Sequence, residues 1–278
     1  MSTLSQKHSL SKFLLYLVII FLLYINLFPL LWQLSTSLKD ADGVFASFSL
    51  IPKKLSFDAY VTAWTRFNVK QYLVNTATVA FFVLLGTLVS CALAGYAFGQ
   101  LRFPGKNTLF YLYLTTMMVP SAVTLIPSYY VILKLSWANS YYALIVPFIF
   151  GNAFGTFLLR QFFMTLPKEL SESATIDGAG YFQTWWSIML PLSKPALATL
   201  GVMTLVSQWN SFIWPLVVIQ SPALKVLSVG LSDFRILFSV QWSSLMAAVM
   251  IAILPMLIIL ILAQKMFIRG IQFSGVSR

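Results

Sequence analysis

Charge is scarce in this chain: 9% of its 278 residues are Asp, Glu, Lys or Arg, where a soluble domain carries about 25%. Seven are acids, namely Asp40, Asp42, Asp58, Glu169, Glu172, Asp177 and Asp233, and none lies deep in a long apolar run. Proton- and ion-coupled carriers keep an ionisable residue inside the membrane as a relay or ligand, so this absence argues against secondary transport. The apolar runs also lack paired Asp residues, a His cluster or a Ser–His arrangement, which argues against hydrolysis within the membrane.

Cysteine and histidine occur once each. Cys91 sits in an apolar run and excludes an intrachain disulfide or a cysteine metal site; His8, in a polar N-terminal tail, excludes His-cluster metal sites and a buried-His triad. Gly99 followed by Gly105-Lys106 has the look of a phosphate loop, but five residues separate the glycines, Asn107 replaces the magnesium-binding Ser/Thr, and no strand precedes it. No catalytic residues, cofactor or metal are therefore expected in this chain, and it reads as a non-enzyme. The net charge of +11 comes from bases spread through loops without interleaved aromatics, a pattern that speaks against nucleic acid.

What the chain has in plenty is apolar surface: 59% hydrophobic residues and a mean hydropathy of +0.85. This defines an integral membrane protein, all-α, with an expected six-span helical bundle. The expected spans are 13–34, 72–98, 109–133, 142–163, 196–219 and 242–267, making a transmembrane domain of 13–278 behind a tail of 1–12. The first run lacks a small-x-small cleavage site and is expected to be retained rather than removed as a signal peptide. The connection from Ser35 to Gln71 carries Phe45, Phe48, Phe57, Tyr60, Trp64 and Phe67, which suit short amphipathic pieces at the membrane surface. Gly95-x-x-x-Gly99 in the second run permits close helix approach.

One interior segment is hydrophilic. Between 166 and 191, Lys168, Glu169, Glu172 and Asp177 fall within ten residues, and an ionised carboxylate at mid-bilayer costs roughly 2.5–3.5 kcal/mol, so the segment must lie in water. Pro167 suits the first position of a helix, Glu169 and Glu172 its positive end, and Gly178 a left-handed stop. The expected helix, 167–177, is about 16 Å long, too short to span. Six spans put both termini, the 102–107 turn and this island on one side. That side holds Lys7, Lys12, Arg102, Lys106, Arg160, Lys168, Lys194, Lys265, Arg269 and Arg278; the other holds Lys39, Lys53, Lys54, Arg66, Lys70, Lys134, Lys225 and Arg235. Five of the latter eight belong to the long first loop, so the short loops put both termini and the island in the cytoplasm.

Glu172-Ser173-Ala174, three residues, Gly178, nine residues, then Ile188-x-Leu190-Pro191 resembles the EAA loop of permease subunits of bacterial ATP-binding-cassette (ABC) importers, with Ser173 in place of the usual first alanine. Further stretches resemble the carbohydrate-importer branch, in particular the second permease of maltose-type systems: Leu38-Lys39, Phe57-Asp58-x-Tyr60, Tyr72-x-x-Asn75-Thr76, Gly95-Tyr96-Ala97-Phe98, Phe103-Pro104-Gly105-Lys106, Ile126-Pro127, Asp177-Gly178-Ala179 and Trp209-Asn210. The end, Gln264-Lys265-x-Phe267-Ile268-x-Gly270 and Gly275-Val276-Ser277-Arg278, is similar to that branch but departs from its usual close. The resemblance implies the type I ABC importer permease fold in a bacterial inner membrane, with a coupling helix lodged in a groove of a partner ATPase.

It also implies partners: two ATPase subunits that bind ATP and magnesium, a second homologous permease, most often a different chain, and an extracytoplasmic solute-binding protein delivering a sugar-like solute. Glu172 becomes a charged anchor, Ala174 a close-approach residue and Gly178 a bend, with Ser173, Asp177, Ile188, Leu190 and Pro191 completing the coupling set. Asn152, Gln208, Trp209 and Asn210 are candidates for the solute path; the amides serve either sugar hydroxyls or helix carbonyls. Tyr129, Tyr130, Trp209 and Trp214 serve either stacking on a sugar or packing. Two other readings stay open: an importer permease for glycerol-phosphate or another compatible solute, and a membrane scaffold without a path.

Overall fold

The computed structural model describes residues 2–40, 49–237 and 241–274. Among them there is helix and no strand. Asp42, Phe45 and Phe48 of the first connection, and the closing Gly275-Val276-Ser277-Arg278, lie outside the described residues. Among the described residues four helices are long and apolar enough to cross a membrane, and up to six spans result if each of two bent helix pairs counts as one. The chain divides into two compact units, residues 1–69 with 231–253, and residues 70–230 with 254–278.

In the first unit, α1 (Ser2–Ser37) is apolar around its whole circumference from Phe13 onward, and none of its most apolar residues is buried. Such a helix suits lipid or a partner helix rather than water. After it, Lys39 is buried, donates from Nζ to the Ser49 carbonyl at 2.8 Å and lies 5.2 Å above the Trp32 ring. α2 (Asp58–Thr65) is a short helix whose entry is fixed by Ser56 and Asp58, which exchange side-chain and backbone bonds at 2.8 and 3.1 Å. Tyr60 on α2 bonds Ser37 at the end of α1 at 2.8 Å, so the two motifs around Leu38 and Phe57 meet.

The second unit carries most of the rest, with the last two helices of the chain divided between the two units. α3 (Val69–Gln100) presents a small-residue face: a Cβ at Gly86 would stand 2.5 Å from Ile149 Cβ, at Gly95 2.8 Å from Leu159 Cβ, and at Gly99 3.0 Å from Phe163 Cβ. The two later helices that contribute these residues are α6 (Tyr141–Ile149) and α7 (Ala153–Thr165), and only glycine lets their backbones come so close.

Two expected spans are not continuous helices. The expected span 109–133 is a bent pair, α4 (Lys106–Thr115, running on through a short 3₁₀ turn to Met118) and α5 (Ser121–Lys134), meeting at 99°. Pro120 is the cause: its ring forces Val119 into extended geometry, φ −82° and ψ 117°, which ends the helix. The expected span 196–219 is also divided, into α10 (Lys194–Trp209) and α11 (Ile213–Val218). Pro215 has no N–H for the carbonyl four residues before it, at Ser211, and that carbonyl instead accepts the Ser228 hydroxyl. The apolar stretch 142–163 keeps its length but changes backbone midway, where Gly151 takes φ +78° between α6 and α7.

α8 (Glu169–Ile176) and α9 (Tyr181–Leu192) form the hydrophilic island and its return, with a π-helical middle at Trp185–Met189. α9 bends by 78° into α10 at Ser193, which is fully buried and bonds back to Leu190. The remaining helices are α12 (Leu227–Leu237) and α13 (Trp242–Ser274). Two apolar clusters organise this unit. One joins Val79, Val83, Ile132, Leu144, Val218 and Val229; the other joins Cys91, Tyr96, Leu159, Phe163, Trp185, Met189 and Leu200 beneath the island.

Candidate functional site

The island is built on the second cluster. Leu166 and Leu170 are partly buried against it, and Trp185 and Met189 belong to it, so the 166–191 segment is fastened at both ends by apolar side chains. Between these anchors the polar residues are free to face outward.

α8 is shorter than the expected 167–177. Leu166 is extended, φ −75° and ψ 140°, as a residue before proline must be. The Pro167 and Lys168 carbonyls then accept from Leu170 at 3.4 Å and Ser171 at 3.0 Å, a tight i→i+3 turn, so regular helix begins only at Glu169. Its other end is closed by backbone alone. Asp177 leaves helical geometry with ψ 2°, Gly178 takes φ +82°, the Gly178 N–H reaches the Thr175 carbonyl at 3.1 Å, and the Ala179 N–H reaches the Ala174 carbonyl at 2.9 Å. This pair of bonds is a Schellman stop. Nothing lies within 4 Å of where a Gly178 Cβ would be, so conformation rather than space demands glycine there.

The candidate coupling residues fall into two groups. Glu172, Ser173, Asp177 and Gly178 are exposed on α8 and its stop, whereas Ala174 is only 5% exposed and forms the inward face of the helix. Ile188 and Leu190 are half-buried on α9, and Pro191 is exposed beside its bend. Glu169 and Glu172 lie in the first turn, where the helix dipole favours negative charge. Glu172 also lines a cleft of about 600 Å³ together with Tyr96, Arg102, Lys106, Lys168 and Thr184.

Sequence reasoning did not single out the apolar side of this loop. Ile176 is 86% exposed, Tyr181 73%, Phe182 67% and Trp186 59%, all within eleven residues of chain. Large apolar groups so presented suit either a partner surface or lipid. The signal was legible as apolar residues inside a segment that must be in water.

The solute-path candidates do not form one site. Asn152 caps α7, its Oδ1 accepting the Gly155 N–H at 2.7 Å. Asn210 turns its amide back to the Val206 carbonyl at 2.8 Å, at the end of α10. Gln208 lines a cavity with Thr76, Leu144, Phe148 and Trp214 whose free volume, about 10 Å³, suits a single water. Asn152 does not line that cavity, and Trp209 is half-buried beside Gln208. Trp214 packs edge-on to Phe148 and donates to the Ala143 carbonyl at 2.9 Å, Tyr129 packs on the first cluster, and Tyr130 lies exposed with Lys134 over its ring.

A second polar centre was quoted in the sequence only as a pattern. Asn75 is fully buried on α3; its Nδ2 donates to the Ala223 and Lys225 carbonyls at 2.9 and 2.8 Å, and its Oδ1 accepts from Tyr141 and Gln71 at 2.7 and 2.9 Å. Thr76 beside it accepts the Leu227 N–H at 2.8 Å. The pair ties the 223–227 connection to α3.

These features define a polytopic α-helical membrane protein with a short, amphipathic helix held outside its spans. Residues 86–273 match the binding-protein-dependent transport system inner membrane component family, and the chain belongs to it. It is 32% identical over 277 residues to the arabinooligosaccharides transport system permease protein AraQ of Bacillus subtilis (strain 168), covering 98% of both chains. It is 34% identical over 268 residues to the sn-glycerol-3-phosphate transport system permease protein UgpE of Yersinia pestis bv. Antiqua (strain Antiqua), covering 93% of this chain and 92% of that one. Its fold is similar to a chain in the crystal structure of a bacterial ABC transporter involved in the import of the acidic polysaccharide alginate, with a TM-score of 0.85 at 22% identity, covering 91% of this chain and 95% of that one.

Proposed function

We propose that this chain is the membrane-spanning permease subunit of an ATP-driven importer, that it passes a carbohydrate or a related polyol or glycoside into the cytoplasm, and that energy enters through α8. The observation that carries the coupling role is the build of the island: a helix fixed inward by Ala174 and stopped by a left-handed Gly178, with Glu172 and Ile176 turned outward. That is the geometry of a helix offered to a groove on another protein. In this reading the partner is an ATPase, present twice, which binds ATP and magnesium. Its dimerisation moves two permeases as rigid bodies.

Glu172 is the charged anchor, with Ser173, Asp177 and the α9 residues Ile188, Leu190 and Pro191 framing it. The second permease is a homologous and different chain, a binding protein delivers solute from outside, and the termini lie in the cytoplasm with the island. The assembly in which a relative of this fold was crystallised, a bacterial alginate ABC transporter in complex with an alginate pentasaccharide-bound periplasmic protein, supports a binding-protein partner. Glycerol-phosphate is the second reading, favoured by the 34% identity to the glycerol-phosphate permease.

The test replaces Glu172 and Gly178 together and measures uptake and ATPase activity of the reconstituted complex. Loss of solute-stimulated ATPase activity with normal membrane insertion is expected; retained uptake would sink the coupling role. Stimulation by sugars against glycerol-3-phosphate then separates the two solute classes.

A further inference from the structure

Four cations near the island have no part in this coupling scheme. Arg102 and Lys106 in the turn after α3, Arg160 near the end of α7 and Lys168 before α8 line one cavity of about 780 Å³. Among the described residues no carboxylate lines it; Glu172 lines the adjoining cleft, which shares Arg102, Lys106 and Lys168.

Two of the four are held by neutral groups. Lys106 Nζ donates to the Leu101 carbonyl at 2.8 Å and the Gly99 carbonyl at 3.3 Å. Arg160 donates to the Phe98 carbonyl at 3.0 Å and its guanidinium stands 4.1 Å over the Phe110 ring. The side chains of Arg102 and Lys168 are exposed and, among the described residues, bond to nothing. Arg160, Lys168 and Arg102 are all near enough to Lys106 for their charges to oppose its own. The ten-residue α4 starts at the same place, behind Gly105, which supplies no side-chain cap for its first N–H groups. Positive charge thus gathers from two sources in a cavity whose lining, among the described residues, holds no carboxylate.

The place of the cavity and its apolar border indicate which anion suits it. The cavity lies where the apolar run of α3 ends and that of α4 begins, so it sits at the polar edge of two candidate spans. Phe103 and Met164 on its lining are exposed, and α4 leads away from it with exposed Leu109 and Leu112. A free phosphate has no use for such a border, whereas a phospholipid needs a cationic seat and an apolar slope together. We propose that this cavity binds the phosphate headgroup of an acidic phospholipid, with its acyl chains lying along Phe103, Leu109, Leu112 and Met164. The proposal needs the membrane setting of the family and not the coupling role of Glu172.

Native mass spectrometry of the purified complex, offered phosphatidylglycerol and phosphatidylcholine with identical acyl chains, tests it. A retained phosphatidylglycerol is expected, and the R102Q/K168Q variant should lower its preference over phosphatidylcholine roughly five-fold per charge removed. Arg102→Lys should keep it. These two positions are chosen because their side chains hold no other part of the fold, unlike Lys106 and Arg160.

Equal retention of the two lipids, or an unchanged preference in R102Q/K168Q, overturns the proposal. Displacement of phosphatidylglycerol by inorganic phosphate overturns the lipid source in favour of a soluble one. A charge effect seen only with the ATPase bound, without lipid preference in the permease pair alone, overturns it in favour of a protein carboxylate.

Discussion

The Tyr141 hydroxyl, at the start of α6, donates at 2.7 Å to the side-chain oxygen of Asn75, which is fully buried on α3. The same Asn75 holds the 223–225 backbone through its amide, so three distant stretches share one side chain. Asn75→Ala leaves two carbonyls and a hydroxyl without partners, each costing about 1–3 kcal/mol if it stays dry. Its thermal unfolding in detergent should fall well below that of Tyr141→Phe, which removes one bond and costs about 1 kcal/mol.

Gly178 and Gly180 form a matched pair. Both have open space where a Cβ would go, but Gly178 has φ +82° and Gly180 φ −73°. Gly178→Ala should therefore weaken the α8 stop by about 1–2 kcal/mol, the cost of left-handed geometry for an L-residue. Gly180→Ala should be silent. Uptake assays normalised to membrane level read the difference, and Gly178→Asn should retain more activity than Gly178→Ala.

Ile176 is nearly fully exposed, so Ile176→Ser removes nothing from the fold. The expected result is unchanged insertion and thermal stability with weakened ATPase association, measured by co-purification at increasing detergent stringency. Unaltered association would show that the apolar side of α8 is not the docking side.

Asn152 is a helix cap in this structure. Asn152→Ala should cost about 1 kcal/mol in stability, Asn152→Asp should restore most of it, and neither should reorder the preference among candidate solutes in uptake competition. A changed solute order with unchanged stability would return Asn152 to the solute path.

The legible parts of the sequence were those whose cause is local. Gly178 marks the end of α8, because it acts through its own backbone; the break at Pro120 has an equally local cause, but the expected span runs through it. Hydropathy nevertheless joins 109–133 and 196–219 into single runs, since it averages across a bend that leaves composition unchanged. The Ser211 carbonyl that Pro215 leaves open is met by Ser228, and the Asn75 network reaches residues about 150 positions away. Neither can be read from a window of sequence. The glycines on α3 lie between the two cases: the spacing of Gly95 and Gly99 suggests close approach, but only the fold shows that Ile149, Leu159 and Phe163 fill the space beside Gly86, Gly95 and Gly99.

The helix α1 bears on how the protein is made. Its most apolar stretch has no buried residue, so it can leave the insertion machinery and dissolve sideways into lipid without waiting for later segments to be synthesised.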